Sequence, residues 1–341
     1  MAELRRLRLA QQGVAQDTRH PLELQGEFER LAHELNSTLN QGLSIYFGQE
    51  VAAKRPFNWI VEFPEIFLDE TGQLKTDGGF TFVIGNPPYL SVDDTWGQNS
   101  PDAAYLKAAF AEIWAGKSDI YYYFIRRALA LLATHGQLGF ITARYYLEAY
   151  YASKLRQVML AEAVIRQVVD FGDYTVFLRV GTKTCITLLQ QEVDAELRKE
   201  NHFLFDRSAH KNIDILAFLG MFRETAHPFS QANLDADSWN LYGHTVAQII
   251  QKIDDGAIPL GDLTFIGQGM QTGRNPVFVV DKATLDRYQI EPELIRKIIK
   301  NQDITPYNLG FRGCISSIPK QLKRWIITPT PKLIWKNIGQ G

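Results

Sequence analysis

The chain has 341 residues, of which 45% are hydrophobic and 22% charged, enough for a buried core and two domains and too apolar for a disordered polymer. Its formal charge of −2 argues by itself against a nucleic-acid partner, yet from Ile290 to Gly341 nine Lys or Arg stand against Glu291, Glu293 and Asp303. That leaves +6 on the tail and −8 on the rest. Cys185 and Cys314 lie too far apart in sequence to suggest a disulfide framework or a thiolate metal site.

The opening MAELRRLRLA has no apolar core of signal-peptide type, and no apolar run reaches membrane-spanning length. The expectation is a cytoplasmic protein with no membrane partner. Residues 1–55 read as a helical segment, clearest where Leu24, Phe28, Leu31, Leu35 and Leu39 recur at spacings of three and four. Residues 56–79 are punctuated by Pro and Gly and lead into an apolar strand, Phe80 to Ile84. DIYYYFIRRALALLATHG predicts a helix with Ile120, Phe124, Ala128 and Leu131 on one face and Gly136 as its stop.

QLGFIT at 137–142 predicts a second strand, YASKLRQVMLAEA a helix, IRQVVDFG a third strand and KTCITLLQ a fourth. This alternation predicts an α/β fold with a parallel-type sheet covered on both faces, and a ligand site at the carboxyl ends of its strands. The strand-bearing region is read as 56–195, a helical connector as 196–255, and a new unit as 256–341. GQGMQTG at 267–273 is followed by Arg274, Asn275 and Pro276, so it reads as a loop at a domain start rather than a phosphate loop. Tyr307, Phe311, Trp325 and Trp335 are interleaved with the basic tail, a pattern that suits phosphates and stacked bases and equally a solvated basic face.

The first strand runs into Asn86-Pro87-Pro88-Tyr89. Each proline keeps the residue before it out of the helical region, so the backbone leaves the strand on one rigid path. Asn86 offers a side-chain carbonyl and Pro87 a backbone carbonyl, two acceptors suited to the two hydrogens of an –NH2 group. Tyr89 adds a flat face for the ring that carries that amine. Adenine N6 is such an amine, poorly nucleophilic because its lone pair is delocalised. Preset acceptors would favour its attacking form, and in duplex DNA the base must first be flipped out.

VIGNPPY, then KSDIYYYFIRRALALLATHGQLGFIT, then VVDFGDYTVFLRVGTKTCITLL together resemble the second half of the catalytic domain of N6-adenine DNA methyltransferases. The similarity is greatest to the large type II and IIG restriction–modification enzymes. It covers residues 55–190, and Leu260 to Asn308 resembles more loosely the opening of their target-recognition domain. The resemblance implies a Rossmann-like methyltransferase fold, S-adenosyl-L-methionine as cofactor, double-stranded DNA as substrate, and methyl transfer to N6 of a flipped adenine. Carried over by motif, Asn86 and Pro87 hold the amine, Pro88 completes the catalytic motif, and Tyr89 stacks on one face of the base. Phe177 is the second aromatic, with Phe171 as the other candidate. Asp119, Tyr121 and Phe124 belong to the cofactor side, although Phe124 also fits a purely core position.

The family's glycine-rich turn after its first strand is not found, and nothing before Asn86 supplies a strand, a Gly-x-Gly turn and a helix. The expectation is therefore a piece of a larger enzyme, partnered by an N-terminal half or subunit that carries the missing motif. None of the 16 lysines has Asp or Glu two residues before it, as a common metal-dependent nuclease needs, and no zinc helix or phosphate-loop lysine is found. Two alternatives stay open. One is a methyltransferase of another amine, a release-factor glutamine or a ribosomal-RNA guanine. The other is a non-catalytic DNA-binding remnant.

Overall fold

The computed structural model describes residues 1–177, 182–207, 214–242, 244–265, 279–289, 292, 295–298, 304–305, 308–309 and 313–316. The backbone divides into two compact units, Met1–Asp255 and Gly256–Gly341. The loop at 267–273 and most of the basic tail lie outside the described residues.

The first unit opens with helices α1 (Ala2–Gln11) and α2 (Pro21–Leu39). His20 caps α2 by accepting from the Leu22 N–H, and Pro21 occupies its first position, where a missing N–H costs nothing. Leu24, Phe28 and Ala32 close this helical pair over Leu4, Leu7 and Val61, with Leu31 and Leu35 packed alongside. Leu39 ends the stripe exposed to solvent.

Six strands form the central sheet. In chain order they are β1 (Phe80–Gly85), β2 (Leu132–Ala143), β3 (Ala163–Asp170), β4 (Thr184–Gln191), β5 (His202–Arg207) and β6 (His227–Ser230). Their spatial order is β1-β2-β4-β3-β5-β6. β1 and β2 are parallel, as are β3 and β5, whereas β4 runs antiparallel to both its neighbours and β6 antiparallel to β5. Four of the six strands therefore share one direction. The parallel-type sheet expected from the sequence holds for these four strands, and β4 departs from it by running antiparallel between β2 and β3.

Residues 196–255, expected as a helical connector, instead extend the sheet through β5 and β6. Gln231 fastens this extension from the side. Its side chain accepts from the Ile165 N–H and donates to the Ala163 carbonyl, both at 2.9 Å, beside the bulge in β3. The fully buried Arg156 donates to the carbonyls of Tyr146, Ala149, Ala236 and Asp237, so one guanidinium ties two distant loops together.

Between β1 and β2 run helices α3 (Pro101–Ala109) and α4 (Ile120–Leu131), and α5 (Ser153–Glu162) precedes β3. Ser100 caps α3 through the Ala103 N–H. α4 buries Tyr121, Tyr122, Ile125, Ala128 and Leu129, while Phe124 is 47% exposed. Of the predicted face, Ile120, Ala128 and Leu131 are buried, and Phe124 alone turns outward. Gly136 is not the helix stop. α4 ends at Leu131, and pairing with β1 skips from Phe80–Leu132 to Phe82–Gln137. His135 takes a left-handed conformation in this irregular stretch, and a Cβ at Gly136 would sit 2.6 Å from the Phe80 carbonyl oxygen. The glycine is there to let two backbones approach.

The face of the sheet under α4 and α5 is continuous core. The opposite face is covered near β3 and β5 by Phe218 and Phe222 of α6 (Ile215–Thr225). At its β1 end this face leaves Phe82 and Ile84 64% and 86% exposed. Among the described residues, β1 has β2 as its sole strand neighbour. In the second unit, β7 (Val279–Val280), β8 (Ile295–Ile298) and β9 (Gly313–Ser316) form an antiparallel sheet in the order β7-β9-β8.

Candidate active site

Gly85 is the last residue of β1, so Asn86 emerges at the carboxyl edge shared by β2, β3 and β5. Asn86 and Pro88 are exposed, Pro87 is buried and Tyr89 is half-buried against the core. The loop is fixed downstream by a short antiparallel bridge between Ser91 and Asp119. Ile120 N–H donates to the Leu90 carbonyl at 2.7 Å, and Val92 N–H to the Ser118 carbonyl at 3.0 Å. Rigid prolines on one side and backbone clamps on the other leave this loop little freedom.

Tyr89 Oη lies 2.7 Å from Asn86 Oδ1 and 3.0 Å from the Ile141 carbonyl oxygen. A hydroxyl has one hydrogen, so it donates to one of these at a time. Burial, and secondarily Cys185, pushes the Tyr89 phenol up to about 12, so it remains a donor at neutral pH. Donation to Asn86 fixes which end of the carboxamide is the oxygen and leaves that oxygen a second lone pair.

The Tyr89 ring centroid is 6.3 Å from that of Phe177, with planes tilted by 57°, and 6.4 Å from that of Tyr121 in an edge arrangement. Phe171 is buried among Val169 and Phe222 instead. Of the two candidate aromatics, only Phe177 meets Tyr89.

The three residues expected on the cofactor side do not converge. Tyr121 is fully buried, in edge contact with Tyr122 at 4.8 Å, and Phe124 turns outward from α4. Asp119 precedes the first turn of α4 without capping it through its side chain. Burial, and then the nearby Asp94 carboxylate, raises the Asp119 carboxyl above its usual range.

A charged network at the same strand edge was not anticipated. Asp170, fully buried at the end of β3, accepts from the Gly172 N–H at 2.8 Å and from Arg207 Nε at 2.7 Å, with Arg144 Nε 3.0 Å away. Arg144 also bonds Glu148 at 2.6 Å. Asp170 thereby sets the turn that launches the segment bearing Phe177, and Lys183–Asp173 at 2.6 Å ties that segment's far end. The available signal was a charged residue closing or following three apolar strands: Arg144, Asp170 and Arg207. Among the described residues no group of three or more His, Cys, Asp or Glu could hold a metal ion, and no helix is long and apolar enough to cross a membrane.

The family described as Eco57I restriction-modification methylase matches residues 3–177, just over half of the 341. The chain belongs to this restriction–modification methyltransferase family, whose cofactor is S-adenosyl-L-methionine and whose α/β sheet is of Rossmann-like type. It is 26% identical over 243 residues to the type II methyltransferase M.PaeR7I of Pseudomonas aeruginosa, covering 70% of this chain and 41% of that one. It is 24% identical over 239 residues to the type II restriction enzyme and methyltransferase RM.Eco57I of Escherichia coli, covering 65% and 22%. Among solved structures, the ATP-dependent type ISP restriction–modification enzyme LlaBIII bound to DNA is similar with a TM-score of 0.41 and 18% identity, over 62% of this chain and 16% of that one. The chain spans less than half the length of these curated relatives.

The residues present fit only part of a cofactor site. A glycine turn between strand and helix, able to cradle the methionine end, is absent from the sequence before Asn86. Of the residues expected on the cofactor side, Phe124 is exposed and Tyr121 is buried.

Proposed function

We propose that this chain carries the methyl-acceptor half of an adenine-specific DNA methyltransferase of a restriction–modification system, in which S-adenosyl-L-methionine methylates N6 of a flipped-out adenine. The observation that carries the reading is the meeting of Asn86 Oδ1, the Pro87 backbone and the Tyr89 and Phe177 rings at one strand end. A base between two ring faces needs roughly 7 Å, two contacts of about 3.5 Å. From 6.3 Å the rings have to part by less than about 1 Å and rotate toward parallel.

In this reading the target amine donates one hydrogen to Asn86 Oδ1 and the other to the Pro87 carbonyl, and Tyr89 Oη keeps the amide oriented. Pro88 holds the loop extended. When bound, S-adenosyl-L-methionine would supply a sulfonium methyl. The amine lone pair, drawn out of ring conjugation, would form the N–C bond as the C–S bond breaks and a neutral thioether leaves, and the surplus proton on nitrogen would pass to solvent. In this reading Asp119 and Phe124 lie toward the donor side, while the buried Tyr121 packs edge-on against Tyr89.

The missing glycine motif would come from an N-terminal polypeptide whose strand pairs in parallel with the free edge of β1. Phe82 and Ile84 support a partner that also packs on this face of the sheet, since covering two largely exposed side chains of this size contributes about 2–4 kcal/mol. Unpaired strand edges accept partners of this kind.

The test is transfer of labelled methyl from S-adenosyl-L-methionine to unmethylated DNA, by this chain alone and with a polypeptide carrying the glycine motif, each beside Asn86→Ala. Transfer that requires Asn86 supports the proposal. The glycine turn not found before Asn86 also suits a DNA-binding remnant without catalysis, and DNA binding without any transfer under either condition would favour that second reading.

A further inference from the structure

A second concave site lies away from the Asn86–Tyr89 loop, none of whose residues line it. It is a cleft of about 830 Å³ bordered by the helical N-terminal layer, α3 and α4. That volume is within the roughly 300–1,000 Å³ typical of small-molecule sites.

Two ring clusters border it. Phe47 and Tyr105 meet at 5.9 Å, and Phe57 and Trp59 at 4.8 Å in an edge arrangement. Trp96 also lines the cleft and is 40% exposed, and Phe57 is 54% exposed. Aromatic faces left open in a concavity are stacking platforms rather than completed core.

The charged lining is Lys54, Lys75 and Arg127 against Asp102 alone, a surplus of two positive charges. Lys54 bonds Asp102 at 2.6 Å while lying 4.8 Å from the Phe47 centroid, and Lys75 donates to the Glu65 carbonyl at 2.7 Å. An ammonium has three donors, so each lysine keeps hydrogens for a ligand. The Arg127 guanidinium lies over the Phe110 ring, 5.3 Å from its centroid.

Open rings beside surplus cations suit a planar group joined to an anion. We propose that this cleft binds a nucleotide, its base against the rings and its phosphate at Lys54, Lys75 and Arg127. The nucleotide is either free or part of a single DNA strand. S-adenosyl-L-methionine is a poor match, because its sulfonium adds positive charge to an already positive site. The inference is independent of the adenine pocket at Asn86.

The test is titration of the full chain with ATP and, separately, with a short oligothymidylate, followed by calorimetry and by tryptophan fluorescence. Saturable binding is expected for at least one probe, weakening with salt. Trp96→Leu and Arg127→Gln should each weaken it by about tenfold or more, the scale of one stacking or charged contact. Leu197→Ser, an exposed position outside the cleft, should leave it unchanged. ATP binding not displaced by the oligonucleotide assigns the cleft to free nucleotide, and mutual displacement assigns it to either source. Three results would overturn the proposal: no saturable binding of either probe to the unmodified chain, binding that both variants retain, or displacement of the bound probe by S-adenosyl-L-methionine.

Discussion

Replacing Asp170 by Ala removes the centre of the network at the carboxyl end of β3. The carboxylate receives the Gly172 N–H at 2.8 Å and Arg207 Nε at 2.7 Å, with Arg144 Nε at 3.0 Å. Breaking a buried charge pair from one side costs about 3–5 kcal/mol, because the other charge stays behind uncompensated. Here the lower end applies. Arg144 keeps Glu148 at 2.6 Å, Arg207 has Glu148 at 3.9 Å, and the Arg207 side chain is about a third exposed. A loss of about 3 kcal/mol in a unit of this size lowers the thermal midpoint by roughly 6–12 °C. Asp170→Asn keeps an acceptor for Gly172 and should lose less. Because Asp170 sets the turn before Phe177, the Ala variant should also hold a flipped base less well, read as a smaller 2-aminopurine fluorescence change on DNA binding. An Asp170→Ala protein melting within about 2 °C of the unmodified chain would refute the claim that this network organises the strand edge.

Asn86→Ala should abolish methyl transfer while leaving DNA affinity nearly intact, since it removes an acceptor used at the reacting nitrogen; gel-shift and transfer assays on one preparation check this. Tyr89→Phe keeps the ring but loses the hydroxyl that orients Asn86, and a hydrogen bond worth about 1 kcal/mol predicts a fall in kcat of roughly fivefold with little change in KM. Unchanged kcat would show that the hydroxyl does no positioning. Cys185 is fully buried, and desolvation pushes its thiol up to about 12. Folding therefore favours the protonated thiol, and the associated stability is complete below the ordinary thiol range and drains away as pH rises toward 12. Peptide mapping after iodoacetamide at pH 8 should find Cys185 unmodified in the native chain and modified after denaturation.

Much of the candidate site's geometry was legible because it is local. An apolar run stopped by Asn and two prolines fixes a strand end, and the structure places Asn86 there. The choice between Phe171 and Phe177 was not legible, because both follow β3 and only tertiary packing buries one and turns the other toward Tyr89. Phe124 was misplaced because α4 is enclosed on several sides. Three consecutive buried tyrosines blur its periodicity, and the outward position carries a ring. The reversal of β4 was not legible, because an apolar strand pattern does not record the direction in which the strand runs. β5 and β6 were hidden in mixed polar sequence, and the side chain of Gln231 helps hold that extension in place. Gly136 looked like a helix stop and serves a close backbone contact, which no one-dimensional pattern distinguishes.

The central claim is that the pocket at Asn86 presents adenine N6 for methylation. Its most direct test is nucleoside analysis of unmethylated DNA after incubation with S-adenosyl-L-methionine, this chain and a polypeptide carrying the glycine motif. The account predicts N6-methyladenine as the product, absent when Asn86 is replaced by Ala. Methyl groups on cytosine, on guanine or on protein glutamine, or N6-methyladenine formed equally well by the Asn86→Ala chain, would contradict it.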